Sequence, residues 1–344
     1  MKKLVIALPL TLAAFSAAAF PGAPEYTGTL ATTPISIMNS QNNQIGAELL
    51  TLQTGLSNTP ADTWQVFGTF ITNPVRVQNS NISQPGYRDN ADAFTLGTDY
   101  HTPHGIYGVA VGRNMGTLTY ARGNGSAQVD ENLASIFAGY KLHHFYGSAI
   151  ATYGNIDDSN INHNIGAQNL TGQTTGQQTD LNGTLGYNFI CFSKKLRTGP
   201  LVNIDYQNIT INGFAETPTN AGAIGVPLQF GKQDYDSLIS GAGWQVNYAT
   251  QFRTTQLVPY LQTTYNHQFL NMNRNIKAAA GVFSPATTIF IPYTVTDNSF
   301  VNVNTGIQAV FSSGLDLTLA YNTALGQNTV DNESVMISAS MPVL

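Results

Sequence analysis

The chain has 344 residues, with 14 Lys and Arg against 19 Asp and Glu and a formal net charge of −5. Charged residues make up 10% of it, where a soluble domain carries about 25%, and no basic patch occurs that would mark a nucleic-acid partner. A single cysteine, Cys191, excludes an intrachain disulfide and a zinc site built from several cysteines.

The first nineteen residues read as a secretory signal. Lys2 and Lys3 form its basic start, Leu4 to Phe15 is an apolar run too short to span a bilayer, and Ala17-Ala18-Ala19 supplies small residues for cleavage before Phe20. No Cys follows it to carry a lipid anchor, and no later apolar run approaches the roughly 20 residues of a transmembrane helix. Residues 20–34 are then a short N-terminal segment.

After Pro34, residues 35–58 predict a helix. Ile45, Leu49, Leu52 and Leu56 form one stripe at spacings of about 3.6 residues. The remainder is Asn, Gln, Ser and Thr, with Glu48 as its one charge, and Thr59-Pro60 ends it. A helix lying on a soluble surface would carry several Lys and Glu. This neutral one suits the inside of a polar-lined barrel.

Residues 62–344 predict strands near 63–72, 91–101, 105–121, 127–142, 145–157, 177–190, 200–212, 234–250, 255–270, 299–311, 315–326 and 333–343. The alternation is clearest towards the end. Val301, Val303, Thr305, Ile307, Ala309 and Phe311 oppose Asn302, Asn304, Gly306 and Gln308. After Ser312-Ser313-Gly314, Leu315, Leu317, Leu319 and Tyr321 oppose Asp316, Thr318, Ala320 and Asn322. The polar face carries amides and hydroxyls, as expected of the lining of a barrel whose other face meets lipid. Asp99, Asn182, Asn203, Asp205, Gln245, Asn302, Asn304 and Asp316 are the expected lumen-lining residues. Their carboxylates either make the pore cation-favouring or hydrogen-bond the helix.

Connections alternate between short turns and long stretches at 73–90, 158–176, 213–233 and 271–298, as in outer-membrane barrels. Aromatics near strand ends, among them Tyr100, Tyr107, Tyr140, Phe145, Tyr146, Tyr187, Phe189, Tyr248, Tyr260, Phe311 and Tyr321, predict interfacial girdles, although aromatics also favour strands generally.

Several phrases resemble the translocator (β) domain of autotransporters, closest to the barrels of GDSL-type autotransporter esterases. They are Leu96-Gly97-Thr98-Asp99-Tyr100, Ile136-Phe137-Ala138-Gly139-Tyr140, Asn208 to Phe214, Asp236-Ser237-Leu238 and Pro259-Tyr260-Leu261 running to Phe269. The resemblance spans about residues 35–343. It implies an all-β, twelve-stranded antiparallel transmembrane barrel with an N-terminal helix in the lumen leading to an external passenger, in the bacterial outer membrane. It also implies lipid, the barrel-assembly machinery and periplasmic chaperones as partners. This chain departs from the pattern in having no room for a folded passenger between signal and helix, and no GDSL sequence. Met341 and Val343 stand where an aromatic assembly signal is expected.

Enzymatic alternatives fare poorly. HExxH, P-loop and GxSxG motifs are absent, and no cofactor or metal set appears. His143-His144 falls in a turn, with Ser148 about 13 Å along the strand. Asp157-Asp158 and His163 read as a solvated outer loop, and Cys191 as a buried structural thiol. The expected function is therefore a translocator barrel, not an enzyme, that exports or displays a very short N-terminal segment. The alternative is a barrel-only adhesin or small porin acting through its outer loops and pore on an unassigned ligand.

Overall fold

The computed structural model describes residues 41–55, 59–77, 87–121, 125–165, 168–192, 195–219, 227–270, 274–280, 287–293, 298–327 and 330–343. The expected signal (residues 1–19), the segment 20–34, the first residues expected in the helix, and Leu56 lie outside the described residues.

Among the described residues, nineteen strands follow one helix (residues 41–54). They are β1 (Thr63–Val77), β2 (Tyr87–His101), β3 (Gly105–Tyr120), β4 (Gly125–Leu142), β5 (Phe145–Ile165), β6 (Gln168–Tyr187), β7 (Phe189–Cys191), β8 (Leu196–Ile211), β9 (Phe214–Ala215) and β10 (Thr217–Pro218). Then come β11 (Leu228–Phe230), β12 (Gln233–Tyr248), β13 (Thr250–Phe252), β14 (Thr255–Gln268), β15 (Arg274–Ala280), β16 (Thr287–Tyr293), β17 (Ser299–Val310), β18 (Asp316–Leu325) and β19 (Val330–Pro342). Twelve of them pair antiparallel in the order β1-β2-β3-β4-β5-β6-β8-β12-β14-β17-β18-β19. β19 returns to β1, from Gln65↔Pro342 to Val77↔Val330, so the sheet closes and leaves no edge in lipid.

Period-2 alternation sets the faces. Leu317, Leu319, Ile337 and Met341 stand outward, while Asp316, Thr318, Ser338 and Ser340 are buried inside. Two aromatic bands ring the outside. Trp64, Tyr107, Tyr140, Phe145, Phe189, Trp244 and Tyr248 lie near the short turns, and Phe70, Phe94, Tyr153, Tyr206, Tyr265 and Tyr321 lie further up the strands. An apolar belt between two such girdles is the lipid-facing surface of a membrane barrel. Tyr146 and Tyr260, expected in the girdles, are buried in the lumen instead. Their parity turns them inward, where each packs in an apolar cluster with helix residues.

Above the second band the pattern inverts. Outward residues become polar (Asn155, Asp157, Gln177, Thr179), and many inward ones become apolar (Leu118, Val129, Ile156, Ile161, Ile209, Ile211), beside a few buried polar groups such as Glu131, Asp158 and Gln178. There the strands stand in water, so burial moves inside. These side chains form a core with Phe214, Leu228, Phe230 and Ala278 from the outer connections. A four-stranded sheet, β16-β15-β11-β9, supplies those outer partners.

Strands reach further than the sequence suggests. The expected loop 158–176 is mostly β5 and β6, paired from Ile161↔Gly172 to Ile165↔Gln168. The stretch 73–90 shortens because β1 and β2 pair up to Val77↔Tyr87. The stretches 213–233 and 271–298 hold β9, β10, β11, β15 and β16. Residues 171–179 are Gln, Thr and Gly on both parities, so no greasy face announces a strand there.

Candidate functional site: the lumen and its helix

The helix has one orientation in the barrel. At its first turn, Gln41 Nε2 donates to Ser135 Oγ (3.3 Å) and Gln41 Oε1 accepts from Thr95 Oγ1 (2.7 Å). Asn42 Nδ2 donates to Asp180 Oδ1 and to Asp205 Oδ2, both at 3.2 Å. At the last turn, Thr54 Oγ1 donates to Gln308 Oε1 (3.3 Å), and Asn188 Nδ2 donates to the carbonyl of Gln53 (3.0 Å). Thr95, Ser135 and Asp180 sit mid-strand, whereas Asn188 and Gln308 lie beside short turns. The C-terminal end thus rests at the short-turn rim and the N-terminal end points to the outer side.

Gly55 ends the helix with φ of 61°, its N–H bonded to the Thr51 carbonyl at 2.7 Å. This left-handed stop favours glycine. A Cβ there would also strike the side chains of Arg197 and Lys141, which crowd this end. Two cations at the C-terminus and carboxylates at the N-terminus both complement the helix dipole.

The stripe packs sideways. Ile45, Leu49 and Leu52 lie against Phe67, Ile106, Ala110, Phe137, Tyr146 and Ile150 of β1, β3, β4 and β5. Gly139 leaves room for them, since a Cβ there would meet Leu52 Cδ1 at 2.2 Å and Leu49 Cδ2 at 2.9 Å. A second contact joins Ala47 and Leu50 to Ile71, Ala93, Tyr260, Ala320 and Met336. Mid-helix, Glu48 accepts from Gln65 Nε2 (3.0 Å) and from Ser338 Oγ (2.9 Å), with all three buried.

The expected lumen residues divide. Asp205 accepts from Asn42 and from Asn182 Nδ2 at 3.1 Å, and among the described residues is the one carboxylate of Asp99, Asp205 and Asp316 bonded to the helix. Asp99 Oδ1 instead lies 2.8 Å from His101 Nε2, and Asp316 is buried at the short-turn end. Gln245 accepts from Tyr146 Oη (2.7 Å) and donates to Asn188 Oδ1 (3.0 Å), which links the wall to the helix end. Asn182, Asn203, Asn302 and Asn304 line a cavity of about 160 Å³ beside the helix. Sequence alone does not reveal the roles of Asp180 and Glu48. Asp180 is hidden in the polar run 168–180, and Glu48 reads as a lone helix charge until its partners are in place.

The residues weighed for chemistry are dispersed. His143 is exposed in its turn, and His144 Nδ1 pairs with the Asn188 carbonyl at 2.9 Å. Asp158 and His163 are not in a solvated loop. Both are buried on β5, and His163 Nδ1 lies 3.0 Å from Glu216 Oε1, whose other oxygen accepts from the Leu228 N–H. Cys191 is exposed, contrary to a buried structural thiol, because β7 lies outside the lumen at the short-turn rim. Among the described residues no group of His, Cys, Asp and Glu is placed to hold a metal ion.

A closed lipid-facing barrel with a polar lumen and an inserted helix defines a membrane-embedded translocator-type barrel. The model of the autotransporter β-domain matches residues 63–322, and the chain belongs to that family. Its fold is similar to the translocator domain of the autotransporter NalP from Neisseria meningitidis, at 16% identity and a TM-score of 0.65, with 93% of this chain and 99% of that one covered. It is also similar to the β-domain of the Bordetella autotransporter BrkA, at 13% identity and a TM-score of 0.62, covering 82% and 100%. A Pseudomonas putida protein described as an uncharacterized protein in the trpE-trpG intergenic region is 28% identical over 97 residues, 27% of this chain. The match spans about 16% of that relative's length. The protein is thus an outer-membrane translocator barrel, and the adhesin or porin alternatives are not favoured. Barrels of this family are not themselves enzymes, and outer-membrane machinery assembles them.

Proposed function

We propose that the barrel displays the segment preceding its helix, residues 20–34, at the cell surface while the helix stays behind as a plug. Residues 1–19 are the export signal, and residues 62–344 the anchor that periplasmic chaperones and the barrel-assembly machinery deliver and insert. The observation that carries this reading is the direction of the helix. Asn42 is tied to Asp180 and Asp205 at the outward end, and Gly55 stops the helix at the short-turn rim. A chain entering upstream of Gln41 therefore leads outward. Asp180, Asp205, Gln65, Asn188 and Gln308 of the lumen wall serve to hold the helix, since an unpaired buried polar group costs about 1–3 kcal/mol. The test is an epitope inserted near Thr29 and probed by antibody on intact cells. Surface labelling without permeabilisation is expected. Labelling that requires a broken outer membrane overturns the display reading and leaves the barrel's membership intact.

A further inference from the structure

The outer surface of β4, β5 and β6 carries a local hollow. On the outward parity near the short turns, Ala138 stands opposite Ala149, and Tyr140 opposite Gly147. Ala149 in turn faces Gly183 on β6. Elsewhere on the belt this parity carries large residues such as Val66, Leu96, Val109, Leu319 and Val335. Here the side chains stop short and leave a hollow of about 630 Å³ with an almost wholly apolar lining. Aromatic side chains frame it. Tyr107 and Tyr140 rise on one side, Phe145 and Tyr187 on the other, with the two rings of the latter pair 4.8 Å apart.

The hollow lies within the lipid-facing belt and is continuous with it. Bilayer hydrocarbon excludes the water that would otherwise fill it, and a void leaves its walls without dispersion partners. Only a flexible apolar chain from the surrounding lipid fits such a space without reshaping the wall. The hollow also runs to the polar interface. Phe145 adjoins the exposed turn residues His143 and His144, and the His144 ring lies 5.6 Å from that of Tyr187. Tyrosines and histidines at this depth offer hydrogen-bonding groups at headgroup level. We infer that the hollow seats one acyl chain of a phospholipid from the periplasmic leaflet, with its headgroup beside the His143–His144 turn.

The experiment is native mass spectrometry of the full chain extracted from outer membranes in mild detergent. Wild type is compared with Ala138→Phe and Ala149→Phe, which fill the hollow, and with Val335→Phe on β19, outward but remote. Ala149→Leu is a gentler filling should the phenylalanines impair folding, and the gel shift on boiling confirms folding of each. Wild type and Val335→Phe are expected to retain one phospholipid per chain, and the filled variants to lose it. Wild type free of lipid, or lipid retained equally by all variants, overturns the seat. A two-chain mass abolished by filling overturns it as well and assigns the hollow to a second copy of this chain.

Discussion

Single residues on neighbouring positions of a strand meet different media here. Leu319 is 51% exposed on the apolar parity of β18, between the two aromatic bands. Leu319→Arg is expected to cost about 2–4 kcal/mol near the midplane, read as a lowered denaturant midpoint for refolding into vesicles. Sequence alternation alone makes Ala320→Arg the milder change, because Ala320 faces the lumen. The structure alters that expectation: Ala320 is 5% exposed and packs with Ala47 and Leu50 of the helix. Its arginine variant must displace the helix. Asn302, which lines the cavity, is the better lumen control, and Asn302→Arg should refold close to wild type. Equal losses for Leu319→Arg and Asn302→Arg would contradict the assigned faces. Parity is thus legible in the sequence, while what occupies the space opposite each inward residue is not.

Among elements, the helix shows the same division. The stripe of Ile45, Leu49 and Leu52 is readable from spacing. The wall that receives it is not: the small inward residues Gly241 and Gly243 of β12 look open in the sequence, yet the stripe does not pack there. A Cβ at Gly241 would meet Asn266 and Asn203, so that wall is already filled by its own amides. The apolar patch lies across the lumen on β1, β3, β4 and β5, where inward Phe67 and Phe137 meet edge-on at 5.8 Å. Those phenylalanines share a parity with polar neighbours and stand out only once the barrel closes. Two measurements follow. Leu49→Asp with Leu52→Asp buries two charges against this patch and should free the helix, raising single-channel conductance in planar bilayers. Gly139→Leu drives a side chain into the space of Leu49 and Leu52 and should do the same from the wall side. Conductance unchanged in both would mean that the helix does not limit the pore. Glu48→Ala probes the polar side: it leaves Gln65 and Ser338 without their shared acceptor, at about 1–3 kcal/mol. Faster protease cleavage near the helix is the expected readout.

At the scale of the molecule, two cores are stacked in one barrel. The membrane half buries polar groups inside against a helix and turns its apolar surface to lipid. The outer third does the reverse, with Leu118, Val129, Ile156 and Ile209 facing Phe214 and Phe230. A sequence scan tuned to one greasy face follows the strands through the membrane and loses them where the solvent changes, which is why β5 and β6 look shorter than they are. The outer core depends on elements that sequence reads as loops. Glu216 bridges His163 on β5 and the Leu228 N–H, and Phe214 stacks on Phe230 at 4.8 Å. Phe230 is 1% exposed, and Phe230→Ala should cost this region about 3–5 kcal/mol. The strands below keep their own pairing, so the loss should stay local. Trypsin should then cut at Lys232 and Lys277, both exposed beside this core, much faster than in wild type. The fragments should remain associated, and unboiled samples should still migrate as a folded barrel. Cleavage at the wild-type rate would show that the outer core does not order these connections. Loss of the gel shift along with faster cleavage would show that the two cores fold as one unit.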